Sequence, residues 1–279
     1  MFDYEKYLRL DKFPLIWCAG CGDGIVFKAI LRAIDRIGLK KDEICMVSGI
    51  GCSSRLPGYV DFNTLHTTHG RAIAFATGVK MAKPEMTVIV VTGDGDCTAI
   101  GGNHFIHAAR RNLDLTVIVF NNQIYGMTGG QASPTTPAGK LASTAPHGSV
   151  EPPFNISGLA QAAGATFVAR STVYAALRLD KLIERAIRKK GFSVVEVYTP
   201  CPTAYGRRNK LGTGADMLLQ LKEDSVTVEA AANMLAADLE DKIVTGVLVD
   251  VDRPEFCDQY YTMSHQLMQK AAESTVAHT

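Results

Sequence analysis

Two segments, TVIVVTGDGD at 87–96 and LTVIVFNNQIYG at 115–126, carry apolar residues at consecutive positions and end in polar turns. A strand with no polar face is buried on both sides, the condition of a parallel sheet held between helices. The chain around these runs alternates to match. GIVFKAILRAIDRIG places apolar residues at 25, 26, 29, 30, 33, 34 and 37, one face of a helix that Gly38 closes. EICMVSGIG reads as a buried strand leaving into a glycine turn, GRAIAFATGVKMAKP as a small-residue helix stopped by Pro84, and IGGNHFIHAARRN as a further helix. NISGLAQAAG, TFVAR, a long helix over 173–189 and the strand FSVVEVYTP continue the pattern. The expected fold is α/β, a doubly wound, mostly parallel sheet over residues 1–200 with a C-terminal extension over 201–279. That extension is expected to pack on the domain or on a partner. Within it, 225–238 reads as helical and KIVTGVLVDVDRPEF as a strand and a turn. The Pro-rich stretch 131–154 is too long for a routine connection and reads as a functional loop or lid.

A net charge of +1 supplies no global field for nucleic acid, and no apolar run has the length of a membrane span. MFDYEKYLRLDKFP is charged throughout, unlike a signal peptide, so a cytoplasmic protein is expected. In that compartment the seven cysteines are available for metal or redox use rather than disulfides. Cys18, Cys21, Cys52 and Cys201 fall in turns, whereas Cys45, Cys97 and Cys257 read as ordinary packed thiols. Four thiolates suit either tetrahedral zinc or a 4Fe–4S cluster. Ligands drawn singly from positions 52 and 201, at different strand ends, favour electron transfer over a structural staple.

GDG at 93–95 and NN at 121–122 both follow predicted parallel strands, at the edge where open α/β sheets bind ligands. Asp94 offers a carboxylate, Asn122 an amide oxygen and Ile124 a backbone carbonyl, a hard oxygen set suited to Mg²⁺. Gly93 and Gly95 let backbone N–H groups approach a diphosphate, and the helix beginning near Thr98 points its positive end the same way. GDG followed at this spacing by NN resembles the thiamin diphosphate signature.

The segments WCAGCGDG, SGIGCSSR, HTTHGRAIAFATGVK, TGDGD, IGGNHFIHAARRN, NNQIYGMTGGQ, SPTTP and TPCPT cover most of residues 15–205. In that order they resemble the β subunit of the 2-oxoacid:ferredoxin oxidoreductases. GCSSRLPGY and YGRRNKLG look most like the 2-oxoglutarate branch. The resemblance implies a sheet of the thiamin diphosphate-binding type, with Gly93, Asp94, Gly95, Asp96, Asn122, Ile124, Tyr125, Gly126 and Thr128 around the cofactor. It implies Mg²⁺ on Asp94, Asn122 and the Ile124 carbonyl, and one 4Fe–4S cluster on Cys18, Cys21, Cys52 and Cys201. The implied reaction is CoA-dependent oxidative decarboxylation of 2-oxoglutarate to succinyl-CoA and CO₂, with electrons passing to ferredoxin. It is reversible, so a synthase direction is open. Pyruvate or another 2-oxoacid is the alternative substrate, and a non-redox thiamin enzyme with structural zinc the rival reading.

The second carboxylate of 2-oxoglutarate asks for a cation: Arg55 first, then His66, His69 and Arg71. His69 is also placed for proton transfer or for holding the keto oxygen. His104 and His107 read as helix-packing residues. Arg207, Arg208 and Lys210 suit CoA phosphates, an acidic ferredoxin or plain solvation. Trp17 and Leu15 are expected to shield the cluster, and Asp23 to cap the helix after the CxxC. Nothing in the chain resembles the domain that supplies the activating glutamate of thiamin enzymes. An α subunit is therefore expected to bring that Glu and part of the pocket, in an (αβ)₂ heterotetramer.

Overall fold

The computed structural model describes residues 2–276. Its strands are β1 (Ile44–Ser48), β2 (Asn63–His66), β3 (Thr87–Gly93), β4 (Thr116–Asn121), β5 (Phe167–Thr172), β6 (Ser193–Tyr198), β7 (Ser225–Thr227) and β8 (Ile243–Asp250). They form one sheet in the order β2-β1-β3-β4-β6-β5-β8-β7. From β2 to β5 every neighbouring pair is parallel, and β8 then adds antiparallel to β5.

The helices that matter for the site are α1 (Asp23–Ile37), α2 (Ala72–Ala82), α3 (Asp94–Thr98), α4 (Gly102–Arg111), α5 (Ile156–Ala163) and α6 (Ala176–Arg188). The period of two along each strand sends alternate residues to opposite faces. Ile89 and Val91 of β3, with Ile118 and Phe120 of β4, meet α1 and α6 through Ile30, Ile34, Leu179 and Ile183. Val88, Val90, Val117 and Val119 meet α2, α4 and α5 through Ala76, Phe105, Ala108 and Ala160. The unbroken Val/Ile runs therefore serve two cores, one on each face. On the first face a two-pronged ion pair clamps the helices: Arg32 donates to both oxygens of Asp180, at 2.6 and 2.7 Å.

Within the residues beyond 200, β8 and β7 extend the sheet past β5. The expected helix over 225–238 is instead the strand β7 followed by two helical turns, Val228–Ala231 and Ala236–Leu239. Ser225, Val226 and Thr227 pair with Ile243, Val244 and Thr245, and Thr227 Oγ1 caps the following turn by accepting from the Ala230 N–H. Tertiary pairing of a β-branched segment overrides the helical pattern that follows it. A helix over Phe256–Val276 was not foreseen. Among the described residues no helix is long and apolar enough to cross a membrane.

Candidate functional site

The carboxyl ends of β1, β3, β4 and β6 lie along one edge of the sheet and lead into SGIGC, GDGD, NNQIYG and TPCPT. At that edge is a cavity of about 190 Å³, open on one side. Its lining includes Asp23, Cys52, His69, Asp94, Asn122 and Thr128.

Asp94 opens α3, is 3% exposed, and has its Oδ2 held by two hydroxyls, Ser133 Oγ and Thr135 Oγ1, each at 2.5 Å. Oδ1 is the oxygen left to a ligand. Burial pushes this carboxyl up to about 6, against the opposing pull of the two hydroxyl donors. Such a group calls for a cation in its cavity. The next residue must be glycine: a Cβ on Gly95 would stand 2.2 Å from the Tyr125 ring.

The turn after β4 is built by its own side chains. Gln123 has a φ of 61°, in the left-handed region. Its N–H donates to Asn121 Oδ1 at 3.2 Å, and its carbonyl accepts from Thr136 Oγ1 at 2.6 Å. The Ile124 N–H donates to Asn122 Oδ1 at 3.3 Å. Pinned on both sides, the turn brings Asn122, Ile124, Tyr125, Gly126 and Thr128 to the cavity where Asp94 lies.

Asp96 also lines the cavity, but both its oxygens are held by protein donors. Oδ1 accepts from His69 Nδ1 at 2.5 Å, Gly70 N at 2.7 Å and Ile50 N at 3.2 Å, while Oδ2 accepts from Thr92 Oγ1 at 2.7 Å. An acceptor-only partner assigns the proton to Nδ1 and leaves His69 Nε2 for the cavity. Of the four substrate candidates, only His69 lines the cavity. Arg55 is exposed on the short helical turn over Ser53–Gly58. The His66 ring is bonded to Ser48 Oγ at 2.9 Å, and Arg71 donates to the Ile100 carbonyl at 3.1 Å. His107 accepts from Arg110 on α4, and neither it nor His104 reaches the cavity.

The cysteines divide as their turns suggest. Gly126 marks the meeting point: a Cβ there would stand 3.2 Å from Cys201 Sγ and 3.9 Å from Cys52 Sγ. Burial pushes the Cys52 thiol up to about 12, and the Asp23 carboxylate with Cys201 and Cys18 pushes the same way. Burial, then Asp23, likewise raises Cys21, which also feels Cys52. Cys52, the one of the four that lines the cavity, thus interacts with each of the other three. Cys45, Cys97 and Cys257 are buried in the core instead. Trp17 ties the two cysteine loops together, its Nε1 donating to the Cys52 carbonyl at 2.8 Å, and it packs on the Phe27 and Tyr59 rings. Leu15 lies against the same core cluster.

Asp23 is not the cap foreseen for α1. Gly22 occupies the N-cap position, and Asp23 is the first helical residue, 1% exposed. Neither of its carboxylate oxygens has a partner among the described residues, and burial pushes its carboxyl up to about 6. Ser133 and Thr135 are the other site residues not singled out from sequence. The quoted SPTTP was the signal, but nothing in it says which hydroxyl turns toward Asp94.

Residues 49–197 match the family described as thiamine pyrophosphate enzyme, C-terminal TPP binding domain. The chain is 52% identical over 260 residues to the 2-oxoglutarate synthase subunit KorB of Methanothermobacter marburgensis, covering 93% of this chain and 91% of that one. It is 53% identical to the KorB subunit of Methanocaldococcus jannaschii, covering 94% and 97%. Among solved structures it resembles the 2-oxoglutarate:ferredoxin oxidoreductase of Magnetococcus marinus with 2-oxoglutarate, coenzyme A and succinyl-CoA bound. That likeness has a TM-score of 0.85 at 33% identity, over 95% of this chain and 91% of that one.

Proposed function

The chain belongs to the β subunits of the 2-oxoacid:ferredoxin oxidoreductases, in their 2-oxoglutarate branch, and on that premise we propose its part in the reaction. It holds the thiamin diphosphate, Mg²⁺ and single 4Fe–4S cluster of an enzyme that converts 2-oxoglutarate and CoA to succinyl-CoA and CO₂. Electrons leave to ferredoxin, and given a low-potential donor the same site runs as a synthase. The observation that carries this reading is the shared wall: Gly126 belongs to the turn that presents Asn122 and Ile124, and a Cβ at that position would stand 3.2 Å from Cys201 Sγ and 3.9 Å from Cys52 Sγ.

The residues fit the groups. Asp94 Oδ1, the Asn122 amide oxygen and the Ile124 carbonyl would take three positions around Mg²⁺, leaving the rest to diphosphate and water. The unpartnered Asp23 carboxylate in the same cavity also awaits a polar ligand. For the thiols we place the 4Fe–4S cluster on Cys18, Cys21, Cys52 and Cys201. Cys52 and Cys201 come singly from turns after different strands, β1 and β6, and both sulfurs approach the Gly126 position of the cavity wall. That placement suits electron transfer at the site better than a structural zinc staple.

When bound, thiamin diphosphate supplies the nucleophilic carbon and the electron sink, and the cluster accepts the electrons singly. The protein's own contribution is positional and protic. His69, held at Nδ1 by Asp96, would give a proton from Nε2 as its imidazolium to the keto oxygen and take it back as the neutral ring when the carbonyl re-forms. Arg55 follows the lining residue Ser53 by two positions and would meet the distal carboxylate from the open side, ahead of His66 and Arg71, which are bonded to Ser48 and Ile100 outside the cavity. About 190 Å³ is less than the 300–1,000 Å³ usual for a ligand pocket. The open side is therefore where the α subunit completes the site and brings its glutamate.

The test is anaerobic assembly with the α subunit, followed by CoA-dependent dye reduction on 2-oxoglutarate and on pyruvate. The expected result is a brown protein with about four irons per β chain that prefers 2-oxoglutarate. A colourless zinc protein, or a preference for pyruvate, refutes the corresponding half of the reading.

A pH dependence follows from Asp94. Its folded carboxyl titrates near 6, above the ordinary 3.8, so protons compete with Mg²⁺ below that value. Mg²⁺ affinity measured by calorimetry with thiamin diphosphate present should level off above pH 6. Below it, affinity should fall by roughly tenfold per pH unit, one proton displaced per ion.

A further inference from the structure

Glu196 is a charged residue in the middle of β6, 1% exposed, and no step described above uses it. Its Oε2 accepts from Arg170 Nε at 2.9 Å and Ser157 Oγ at 2.6 Å. Its Oε1 accepts from Asn121 Nδ2 at 2.8 Å. A buried ion pair is seldom worth more to stability than apolar residues of the same volume, so its presence here asks for another reason.

The reason lies in what a carboxylate cannot do, which is donate. Facing it, the Asn121 amide has one way round: NH₂ toward Glu196, oxygen away. That oxygen accepts from the Gln123 N–H at 3.2 Å and from Thr135 Oγ1 at 3.0 Å. Thr135 has a single proton, shared between Asn121 Oδ1 and Asp94 Oδ2. The pair also reaches across the lid. Arg170 Nη2 donates to Asn155 Oδ1 at 2.7 Å, and Asn155 caps α5 where the long loop ends, while residues 133–136 at its start hold Asp94 and Gln123.

We infer that Glu196 is a positioning residue that acts through Asn121 to set all three Mg²⁺-binding groups. By fixing the Asn121 amide it fixes the left-handed Gln123 turn that separates Asn122 from Ile124, and the hydroxyl that orients Asp94. This rests on the reading that those three residues hold Mg²⁺. In Glu196→Gln the NH₂ group falls either on Asn121 or on both Arg170 and Ser157. When it falls on Asn121 that amide turns over, the Gln123 N–H loses its acceptor and Thr135 loses one of its two, so its hydroxyl is no longer held between Asn121 and Asp94.

The experiment is a Mg²⁺ binding isotherm on the assembled αβ complex with thiamin diphosphate, alongside kcat and KM at rising Mg²⁺. Glu196→Gln is expected to weaken Mg²⁺ binding by roughly 10–100-fold, as loss of an outer-shell partner does. At saturating Mg²⁺ its kcat should return toward wild type, with KM for the 2-oxoacid unchanged. Ser157→Ala removes a bond to the same carboxylate on the side away from Asn121, and should leave Mg²⁺ affinity as it was. If Glu196→Gln does not assemble, Thr135→Val carries the test, with the same expected weakening. Wild-type affinity in the variant tested overturns the inference. So does a kcat loss that Mg²⁺ does not repair, or an equal loss in Ser157→Ala, since either is what a purely structural role gives. Failure of the unmutated complex to bind Mg²⁺ overturns the underlying metal reading instead.

Discussion

Cys201→Ser is expected to abolish 2-oxoacid-dependent electron delivery to ferredoxin while leaving thiamin diphosphate and Mg²⁺ bound. Cys201 is 8% exposed and lies three residues past the end of β6, its sulfur 3.2 Å from where a Cβ on Gly126 would stand. The site has no slack there, because the same backbone forms the cavity wall on its other side. A serine hydroxyl is a poor ligand to iron beside three thiolates, and no spare cysteine lies near enough to replace it: Cys45, Cys97 and Cys257 are all packed into the second core. Burial, then Asp23, raises the Cys21 and Cys52 thiols, and the proposed cluster would be held there only because metal binding offsets that cost. Iron content should therefore drop from about four per chain toward zero, with the low-temperature EPR signal of the reduced cluster lost and dye reduction at background. Cys97→Ser is the control, with iron and colour retained. A brown, active Cys201→Ser protein, or a colourless Cys97→Ser one, would falsify the assignment of the four ligands.

The parts of this site that the sequence made legible are those governed by short-range rules. Continuous Val/Ile runs announce β3 and β4, Gly38 closes α1, and the residues after each strand fall at the ligand edge because open parallel sheets bind ligands at the carboxyl ends of their strands. Asp94 and Asn122 were legible because each follows its own strand directly. What stayed hidden depends on contacts between distant segments. Asp23 sits in the same Gly-Asp-Gly triplet as Asp94, and local rules made it a helix cap. Its burial against the cavity is set by the packing of α1 against α6 and the sheet, which no local pattern encodes. Ser133 and Thr135 lie in a loop whose path is fixed by the very hydrogen bonds that make them functional. The β7 strand was misread because its pairing with β8 bridges 18 residues, while its helical neighbours are adjacent.

Asp94→Asn is expected to separate function from stability, with opposite signs. The amide keeps the shape and can still accept from Ser133 and Thr135, but it removes the only anionic oxygen among the three Mg²⁺-binding groups. Diphosphate anchoring and turnover should be lost, while iron content stays at the wild-type level because the cysteines are ligands of their own. Stability of the Mg²⁺-stripped complex should move the other way. The folded carboxyl titrates near 6 and the unfolded one near 3.8, so between these values the folded state binds more protons. Stability conferred by the uncharged form is thus present below pH 3.8 and lost as pH rises through 6. At pH 7.5 the whole penalty is felt, about 3 kcal/mol for a fully buried group whose shift is about two units. Asn carries no such charge, so the stripped variant should melt several degrees above the stripped wild type at pH 7.5, and the gap should close near pH 4. Adding Mg²⁺ and thiamin diphosphate should raise the wild type past the variant, because ligand binding repays the buried charge only where the charge exists. Equal melting of the two stripped proteins at pH 7.5 would show that Asp94 is not strained without its ion. Retained Mg²⁺ binding in Asp94→Asn would remove it from the metal site. A residue that costs the ligand-free fold stability is thereby one the loaded enzyme cannot do without, which is the balance expected of a site held ready for a cation.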